Sequence, residues 1–335
     1  MIAAFPMIAA SPDSPLSLSL TTQRAIALVE DRRPKAEALG REIAELIGDL
    51  DAFTARLSTG LAQLADTEYQ EGQRRIAPGI GPIFGVRWPL LAAVQRGFRA
   101  ATRRDRVGMQ YLIIVDRLFG ETELEHRWFS FGLLERLVVV DPERAWQLLR
   151  RAAREAGDWI TVDSLAHPVG RGILTEPYRW AELEQLVYSP SRWERRLVGS
   201  TIATIPFIDR RLGRQPEIAR HGLQIIGDAI GDAAPDVQKA LSWALRSLAL
   251  VDRAAVTDFI EREATAAAEA GDGNRAWVLR DALPKLEPAT AAAIRQRLDG
   301  IRRKSGGAST SRAAETAARF TDLPLGRPLA DPPLV

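Results

Sequence analysis

The sequence contains no cysteine and only three histidines, His126, His167 and His221. Without cysteine the chain has no disulfide, no thiolate nucleophile and no cysteine-ligated zinc or iron–sulfur cluster. The histidines lie far apart and lack the spacing of a zinc site carried on one helix. We therefore expect neither a metal site nor a cofactor.

Long apolar runs are missing as well. The sequence has no stretch of about 18 apolar residues, which a transmembrane helix requires. Its first residues, Met-Ile-Ala-Ala-Phe-Pro, lack the cationic region and the apolar stretch of a signal peptide. We expect a cytoplasmic protein without a membrane partner, and a monomer.

Lysine is scarce among the cations. The chain has 45 lysines and arginines, of which only Lys35, Lys239, Lys285 and Lys304 are lysines. A guanidinium binds phosphate through a planar fork and stacks on aromatic rings, whereas an ammonium is a strongly hydrated point charge. A GC-rich genome produces the same skew, and the formal net charge is only +2. Composition alone therefore favours a nucleic-acid partner only weakly, and the positions of the arginines matter more.

The apolar residues recur with helical spacing, and no alternating strand pattern competes with them. The pattern predicts an all-α protein whose folded body runs over residues 36–303. We expect residues 1–35 to be a flexible leader, with at most a short helix near 22–30, and residues 304–335 to be a disordered tail. Helices are predicted over residues 42–64, 88–101, 108–119, 125–139, 142–155, 159–174, 179–187, 192–205, 216–228, 235–248, 254–270, 274–283 and 289–301.

Five related helix openings recur along the body. They begin 32, 33, 44 and 38 residues apart, in the range of paired-helix HEAT-like repeats. Such repeats stack into an α-α superhelix, or solenoid, whose concave face commonly binds a partner. One repeat contains His167-Pro168, which we expect to kink its first helix or end it early. The openings are His126-Arg-Trp-Phe, Asp158-Trp-Ile-Thr, Ser191-Arg-Trp-Glu, Pro235-Asp-Val-Gln and Gly273-Asn-Arg-Ala-Trp277.

Side chains with possible chemistry recur in these repeats. Trp159 and Asp163 are four residues apart and share one helix face. Asp163 and Arg196 occupy the same position in neighbouring repeats, so they should project in the same direction. Further along, Trp243 lies one turn before Arg246. A tryptophan near a helix start is often a packing residue and an arginine is often merely solvated, so a structural interpretation stays open.

Four segments within residues 53–270 resemble the bacterial DNA alkylation repair proteins of the AlkD-like branch. The last segment is the most specific, because the spacing of Gln238, Lys239, Trp243 and Arg246 resembles the family's throughout. Members of this family are HEAT-like solenoids that excise positively charged N-alkylated purines from duplex DNA. The segments are Ile83-Phe-Gly-Val86, Asp158-Trp-Ile-Thr-Val-Asp-Ser-Leu165, Trp193-Glu-Arg-Arg196 and Val237-Gln-Lys-Ala-Leu-Ser-Trp-Ala-Leu-Arg246.

The resemblance implies a role for each matched position. Asp163 would be the catalytic aspartate, Trp159 and Trp243 would pack on the sugar, and Arg196 would bind the DNA backbone. A purine alkylated at N3 or N7 is cationic and departs readily, so the help it needs is negative charge beside the developing sugar cation and an oriented water. Indole faces also favour that cation.

The resemblance thus implies a base-excision repair glycosylase with a concave DNA-binding face, acting on double-stranded DNA that contains N3- or N7-alkylated purines. The alternatives are a non-catalytic HEAT-like module that binds damaged or branched DNA, or a protein-interaction scaffold. We expect Trp193 to be the core anchor of its helix. The further arginines expected to contact the DNA backbone are Arg192, Arg246, Arg87 and Arg171.

Two positions depart from the family's pattern. Asp158 stands where the family often has an aromatic residue, and we expect it to add negative charge where the DNA passes. The family's lesion-facing tyrosine has no clear counterpart in this sequence: counting back from Gly85 gives Ile76 or Arg75, while Tyr69 lies further away.

Overall fold

A computed structural model describes residues 19–103 and 108–319 of the chain. Over these ranges the protein has sixteen α-helices, three 3₁₀ turns and no β-strand, which confirms the all-α prediction. No helix in the described ranges is long and apolar enough to cross a membrane. The helices are α1 Leu20–Glu45, α2 Leu50–Leu64, α3 Thr67–Ile76, α4 Trp88–Ala101, α5 Met109–Phe119, α6 Leu124–Val140, α7 Pro142–Glu155, α8 Trp159–Thr175, α9 Trp180–Gln185, α10 Arg192–Ile208, α11 Pro216–Ala229, α12 Pro235–Leu248, α13 Arg253–Ala270, α14 Gly273–Ala282, α15 Pro288–Arg297 and α16 Arg312–Ala318.

Proline begins four of these helices, α7, α11, α12 and α15. Proline fits the first helical position because its fixed φ is helical and its missing N–H would have no partner there. The helix starts predicted at residues 142, 216, 235 and 289 therefore agree with the structure to within one residue. Pro168 behaves differently, because α8 continues through it to Thr175 and the prediction that the helix ends early is wrong. Burial of Val169 and Ile173 beyond the proline holds the second half of α8 in place.

Helix α1 occupies much of the predicted leader, so for residues 20–35 the prediction of a flexible segment is wrong. Ser19 caps its start by accepting a hydrogen bond from the Thr22 N–H. The helix packs along α4 at two glycines: a Cβ on Gly97 would lie 2.1 Å from the Glu37 carbonyl oxygen, and a Cβ on Gly40 would lie 2.1 Å from that of Val94. Residues 1–18 lie outside the described residues.

The predicted disordered tail also contains ordered chain. The Thr310 N–H donates to the Gly231 carbonyl at 2.9 Å, and the Ser309 hydroxyl accepts from the Ala233 N–H at 2.9 Å. Helix α16 follows with Ala313 buried, so the prediction is wrong for residues 304–319. Residues 320–335 lie outside the described residues.

Two predicted helices are interrupted. The one over 42–64 is broken after Glu45, and Asp49 caps a new helix, α2, by accepting from the Ala52 N–H at 3.0 Å. The one over 179–187 is a short helix, α9, between 3₁₀ turns at Pro177–Arg179 and Leu186–Tyr188. Helix α3 was not predicted, because Gln73 is its only buried residue and it carries no apolar stripe.

The chain forms two compact units. Among the described residues, unit 1 comprises the chain up to Trp180 together with Ser200–Arg214, and unit 2 comprises Ala181–Gly199 together with the chain from Gln215. Helix α10 contributes residues to both units. Each unit contains helices that begin at or near the five predicted openings, namely α6, α8, α10, α12 and α14. We call these five helices, together with α4, the first-layer helices.

In unit 1 the first-layer helices run parallel. Gln95 Nε2 donates to the Trp128 carbonyl at 3.2 Å, and Arg136 donates to the Thr102 hydroxyl at 3.0 Å, so the register between α4 and α6 stays nearly constant. Trp128 Nε1 then donates to the Thr161 hydroxyl on α8 at 3.0 Å. Equivalent positions of successive repeats therefore meet, as a paired-helix repeat requires.

The loop before α4 is held by a buried carboxylate. Glu125, on α6, accepts the N–H groups of Phe84, Gly85 and Val86 at 3.0, 2.8 and 3.1 Å. Burial raises the pKa of Glu125, and these three hydrogen bonds partly offset that rise. Gly85 has φ of 90°, a conformation that glycine adopts without strain. The three hydrogen bonds to Glu125 therefore fix the loop between α3 and α4.

Candidate functional site

Helix α8 carries the predicted catalytic residue, and Asp158 determines where the helix starts. The Asp158 carboxylate accepts the Thr161 N–H at 2.8 Å and the Thr161 hydroxyl at 2.7 Å. Asp158 is therefore a helix cap and is only 4% exposed. The expectation that it adds negative charge where DNA passes is wrong. Burial raises the pKa of Asp158, while the hydrogen bonds from Thr161 lower it in part.

Asp163 lies one turn after Trp159, and both side chains are half-buried. Asp163 Oδ1 accepts a hydrogen bond from Ser200 Oγ at 2.6 Å. Trp159 Nε1 donates to the Ile76 carbonyl at 3.3 Å. Both contacts lie within unit 1, and the second brings the indole to the last residue of α3.

Ile76 is the position to which the count from Gly85 pointed. Its side chain is 60% exposed beside Trp159, and the neighbouring Arg75 is also exposed. Tyr69 is held elsewhere: its hydroxyl accepts from Gln73 Nε2 at 2.5 Å, and the Arg87 guanidinium lies 4.9 Å from the centre of its ring. Burial raises the pKa of Tyr69 to about 12. An exposed isoleucine therefore occupies the edge of the site.

Unit 1 contains two of the arginines predicted to contact the DNA backbone, Arg87 and Arg171. Arg87 forms an ion pair with Asp66 at 2.6 Å, and Asp66 also caps α3 by accepting the Tyr69 N–H at 3.3 Å. Arg171 is half-buried two turns after Asp163 on α8. Their contact with DNA stays a prediction.

Unit 2 carries the remaining predicted residues. Arg196 is only 5% exposed, and it donates to the Asp236 carbonyl at 2.7 Å. Trp243 is half-buried on α12, and Arg246 donates to the Asp281 carbonyl at 2.9 Å. Binding of a phosphate by Arg196 would require its guanidinium to share or leave the Asp236 carbonyl. That Arg196 and Arg246 bind the DNA backbone, and that Trp243 packs on the sugar, stays a prediction.

Arg192 is the most accessible of these arginines, with 57% of its side chain exposed. Its guanidinium lies 4.6 Å from the centre of the Trp193 ring. Trp193 is only half-buried, so the expectation that it anchors the core is wrong. The buried apolar residues at this part of α10 are Leu197 and Val198 instead.

The sequence analysis did not identify Ser200 as a site residue, and it did not identify Asp158 as a helix cap. The cap had a recognisable signal, since an aspartate directly before an apolar helical run is a favoured N-cap. Ser200 had no such signal, because its contact depends on the register between α8 and α10. The sequence analysis aligned Asp163 with Arg196 in the next repeat. Extending that alignment by one helical turn beyond Arg196 would have placed Ser200 opposite α8.

The described residues contain no group of three or more histidines and carboxylates placed to hold a metal ion. A cavity of about 640 Å³ lies in unit 2 beside Arg220, Phe259 and Arg262, and none of the predicted site residues lines it. The arrangement around Asp163 thus offers one carboxylate, one indole and one exposed apolar side chain.

A family model described as DNA alkylation repair enzyme matches residues 57–286. The match covers more than half of the chain and includes every predicted site residue. No curated protein matches the chain.

Proposed function

Because this chain belongs to the DNA alkylation repair enzyme family, we propose that it is a DNA glycosylase of base-excision repair. Its substrate is double-stranded DNA that contains positively charged purines alkylated at N3 or N7. The observation that carries the proposal is the half-buried Asp163 carboxylate, which lies one turn from the half-buried indole of Trp159. We further propose that the protein acts in the cytoplasm as a monomer.

The reaction is hydrolysis of the bond between the purine and C1′ of the deoxyribose. The bond pair goes to the cationic purine, which leaves as a neutral base, and positive charge develops on the sugar. The Asp163 carboxylate stabilises that charge and orients the attacking water. The water oxygen bonds to C1′ and its proton passes to solvent, which leaves an abasic site.

Trp159 and Ile76 form a surface against which the sugar and the neighbouring base pair pack. The Trp159 indole packs on the deoxyribose and favours its positive charge through the electrons of the ring face. The hydrogen bond to the Ile76 carbonyl fixes the orientation of this indole. Because the leaving base is already activated by its charge, a deep pocket around the base is not required.

The proposal is tested by base release. A duplex treated with a methylating agent is incubated with the protein, and the released bases are separated by chromatography. We expect 7-methylguanine or 3-methyladenine from the methylated duplex and no base from an untreated duplex. Binding of the duplex without release would support a non-catalytic DNA-binding module, and absence of binding would support a protein scaffold.

Arg192→Ala is expected to weaken binding of the duplex by about fivefold and to lower the slope of log affinity against log salt by about one. An exposed guanidinium neutralises one phosphate and releases its counterion, without reading sequence. Binding is measured by fluorescence anisotropy at several salt concentrations.

Arg253→Ala is the matched control. Arg253 also lies in unit 2, is 59% exposed and pairs with Glu287 at 2.8 Å, but it begins α13, outside the first layer. We expect its affinity and salt slope to equal those of the wild type. Equal losses in both variants would show that the first-layer arginine has no specific role.

A further inference from the structure

We propose that Ser200 is a positioning residue for Asp163. The inference rests on the proposed glycosylase function and deepens it. Ser200 Oγ donates to Asp163 Oδ1 at 2.6 Å, within the short range of charge-assisted O–H···O⁻ hydrogen bonds. Ser200 is 0% exposed, so water does not compete for this bond.

The position of the Ser200 hydroxyl is set by the packing of α10 on α8. The hydroxyl of Thr204, one turn after Ser200, lies 3.0 Å from the Thr201 carbonyl and 3.3 Å from the Ala166 carbonyl on α8. Further along the same interface, a Cβ on Gly170 would lie 2.6 Å from Ile208 Cδ1. Ser200, Thr204 and Ile208 therefore form one stripe of α10, and this stripe follows α8 in parallel register. The serine meets Asp163 because the two helices are aligned over about two turns.

The direction of the bond follows from the chemistry of the two groups. An ionised carboxylate has no proton to give, whereas a hydroxyl has one, so Ser200 donates and Asp163 accepts. A carboxylate has room for about four hydrogen bonds, and the bond from Ser200 takes up only one of them. The contact therefore fixes the rotation of the carboxylate.

A purely structural role for Ser200 makes different predictions. Loss of a buried hydroxyl removes a modest amount of stability wherever it occurs, and it has no reason to affect base release in particular. A positioning residue instead acts only through its partner, so its replacement has no effect once the charge of that partner is gone.

The experiment compares Ser200→Ala with the wild type in the full chain. We expect single-turnover release of the alkylated base to be slowed about tenfold, which corresponds to about 1.4 kcal/mol. Affinity for a duplex that carries a stable abasic-site analogue should change less than about twofold, since binding does not need the fixed carboxylate. In the Asp163→Asn background, Ser200→Ala should slow release no further.

Thr204→Val is the matched control. It removes a buried hydroxyl from the same stripe of α10, but that hydroxyl contacts a carbonyl rather than Asp163. We expect both single variants to lose similar thermal stability, and only Ser200→Ala to slow release.

Several outcomes overturn the proposal. Equal rates for Ser200→Ala and the wild type overturn the role of Ser200 but leave the proposed function standing. The same applies if Thr204→Val slows release as much as Ser200→Ala does, or if Ser200→Ala slows release further in the Asp163→Asn background. A wild-type protein that binds the methylated duplex and releases no base overturns the proposed function and this role together.

Discussion

Asp163→Asn is expected to slow release of alkylated purines by about 100-fold or more, because it removes the negative charge that faces the developing sugar cation. Loss of one preorganised electrostatic group of this kind typically costs about 3 kcal/mol of transition-state stabilisation. Asparagine has nearly the same shape as aspartate, and its carbonyl oxygen can still accept the hydrogen bond from Ser200. The variant therefore changes charge while it keeps the packing of α8.

The measurement is single-turnover base release on a methylated duplex, with thermal unfolding followed in parallel. Glu135→Gln serves as the control, because Glu135 is a carboxylate on the neighbouring first-layer helix and lies 3.9 Å from His167. It removes a nearby negative charge without touching Asp163, and we expect its rate to stay within about twofold of the wild type. An Asp163→Asn variant as fast as the wild type would rule out the proposed mechanism.

Gly97→Ala is expected to lower the melting temperature by about 5 °C or more, although alanine is the better helix former. Intrinsic propensity favours alanine inside a helix by about 1 kcal/mol. Against this, the new Cβ would lie 2.1 Å from the Glu37 carbonyl oxygen, which belongs to backbone that cannot rotate away. Helices α1 and α4 must separate, and overpacking of this kind costs about 3 kcal/mol. Packing therefore outweighs propensity.

Gly72→Ala is the control for this prediction. Gly72 lies in α3, and a Cβ there would meet nothing within 4 Å. Only propensity acts at this position, so the melting temperature should rise by about 2–4 °C. Circular dichroism at increasing temperature measures both variants. A Gly97→Ala protein that melts at or above the wild-type temperature would show that α1 does not pack on α4 as described.

The predicted helices were most accurate where the start signal is local. The predicted bounds of α4, α7 and α12 agree with the structure at both ends. Proline at the first helical turn and an apolar stripe of helical period identify such helices without reference to the rest of the chain. The repeat openings were predictable for the same reason.

The missed elements depend on distant partners. Helix α1 has a weak apolar stripe and contains Pro34, and it is stabilised by backbone contact with α4 through Gly40 and Gly97. The local sequence of α1 does not predict this contact with α4. Residues 304–319 are likewise ordered by hydrogen bonds to the segment around Gly231, about 80 residues earlier in the chain.

In the candidate site, too, the features set by local sequence were predicted and those set by distant partners were not. Trp159 and Asp163 were predicted because both lie on one turn of a single helix. The burial of Arg196 was not predicted, since it depends on the Asp236 carbonyl in the following repeat. Ser200 was missed because a serine inside a helix has many possible partners, and only the tertiary register selects Asp163.

The parallel register of the first-layer helices in unit 1 limits where that part of the chain can change in length. The repeat openings are 32 to 44 residues apart, so connecting segments accept insertions and deletions. An added residue between Trp159 and Asp163 would instead turn the carboxylate by about 100° around the axis of α8 and carry it away from Ser200. Length variation in related chains should therefore be concentrated between helices, while the turn from Trp159 to Asp163 keeps a constant number of residues.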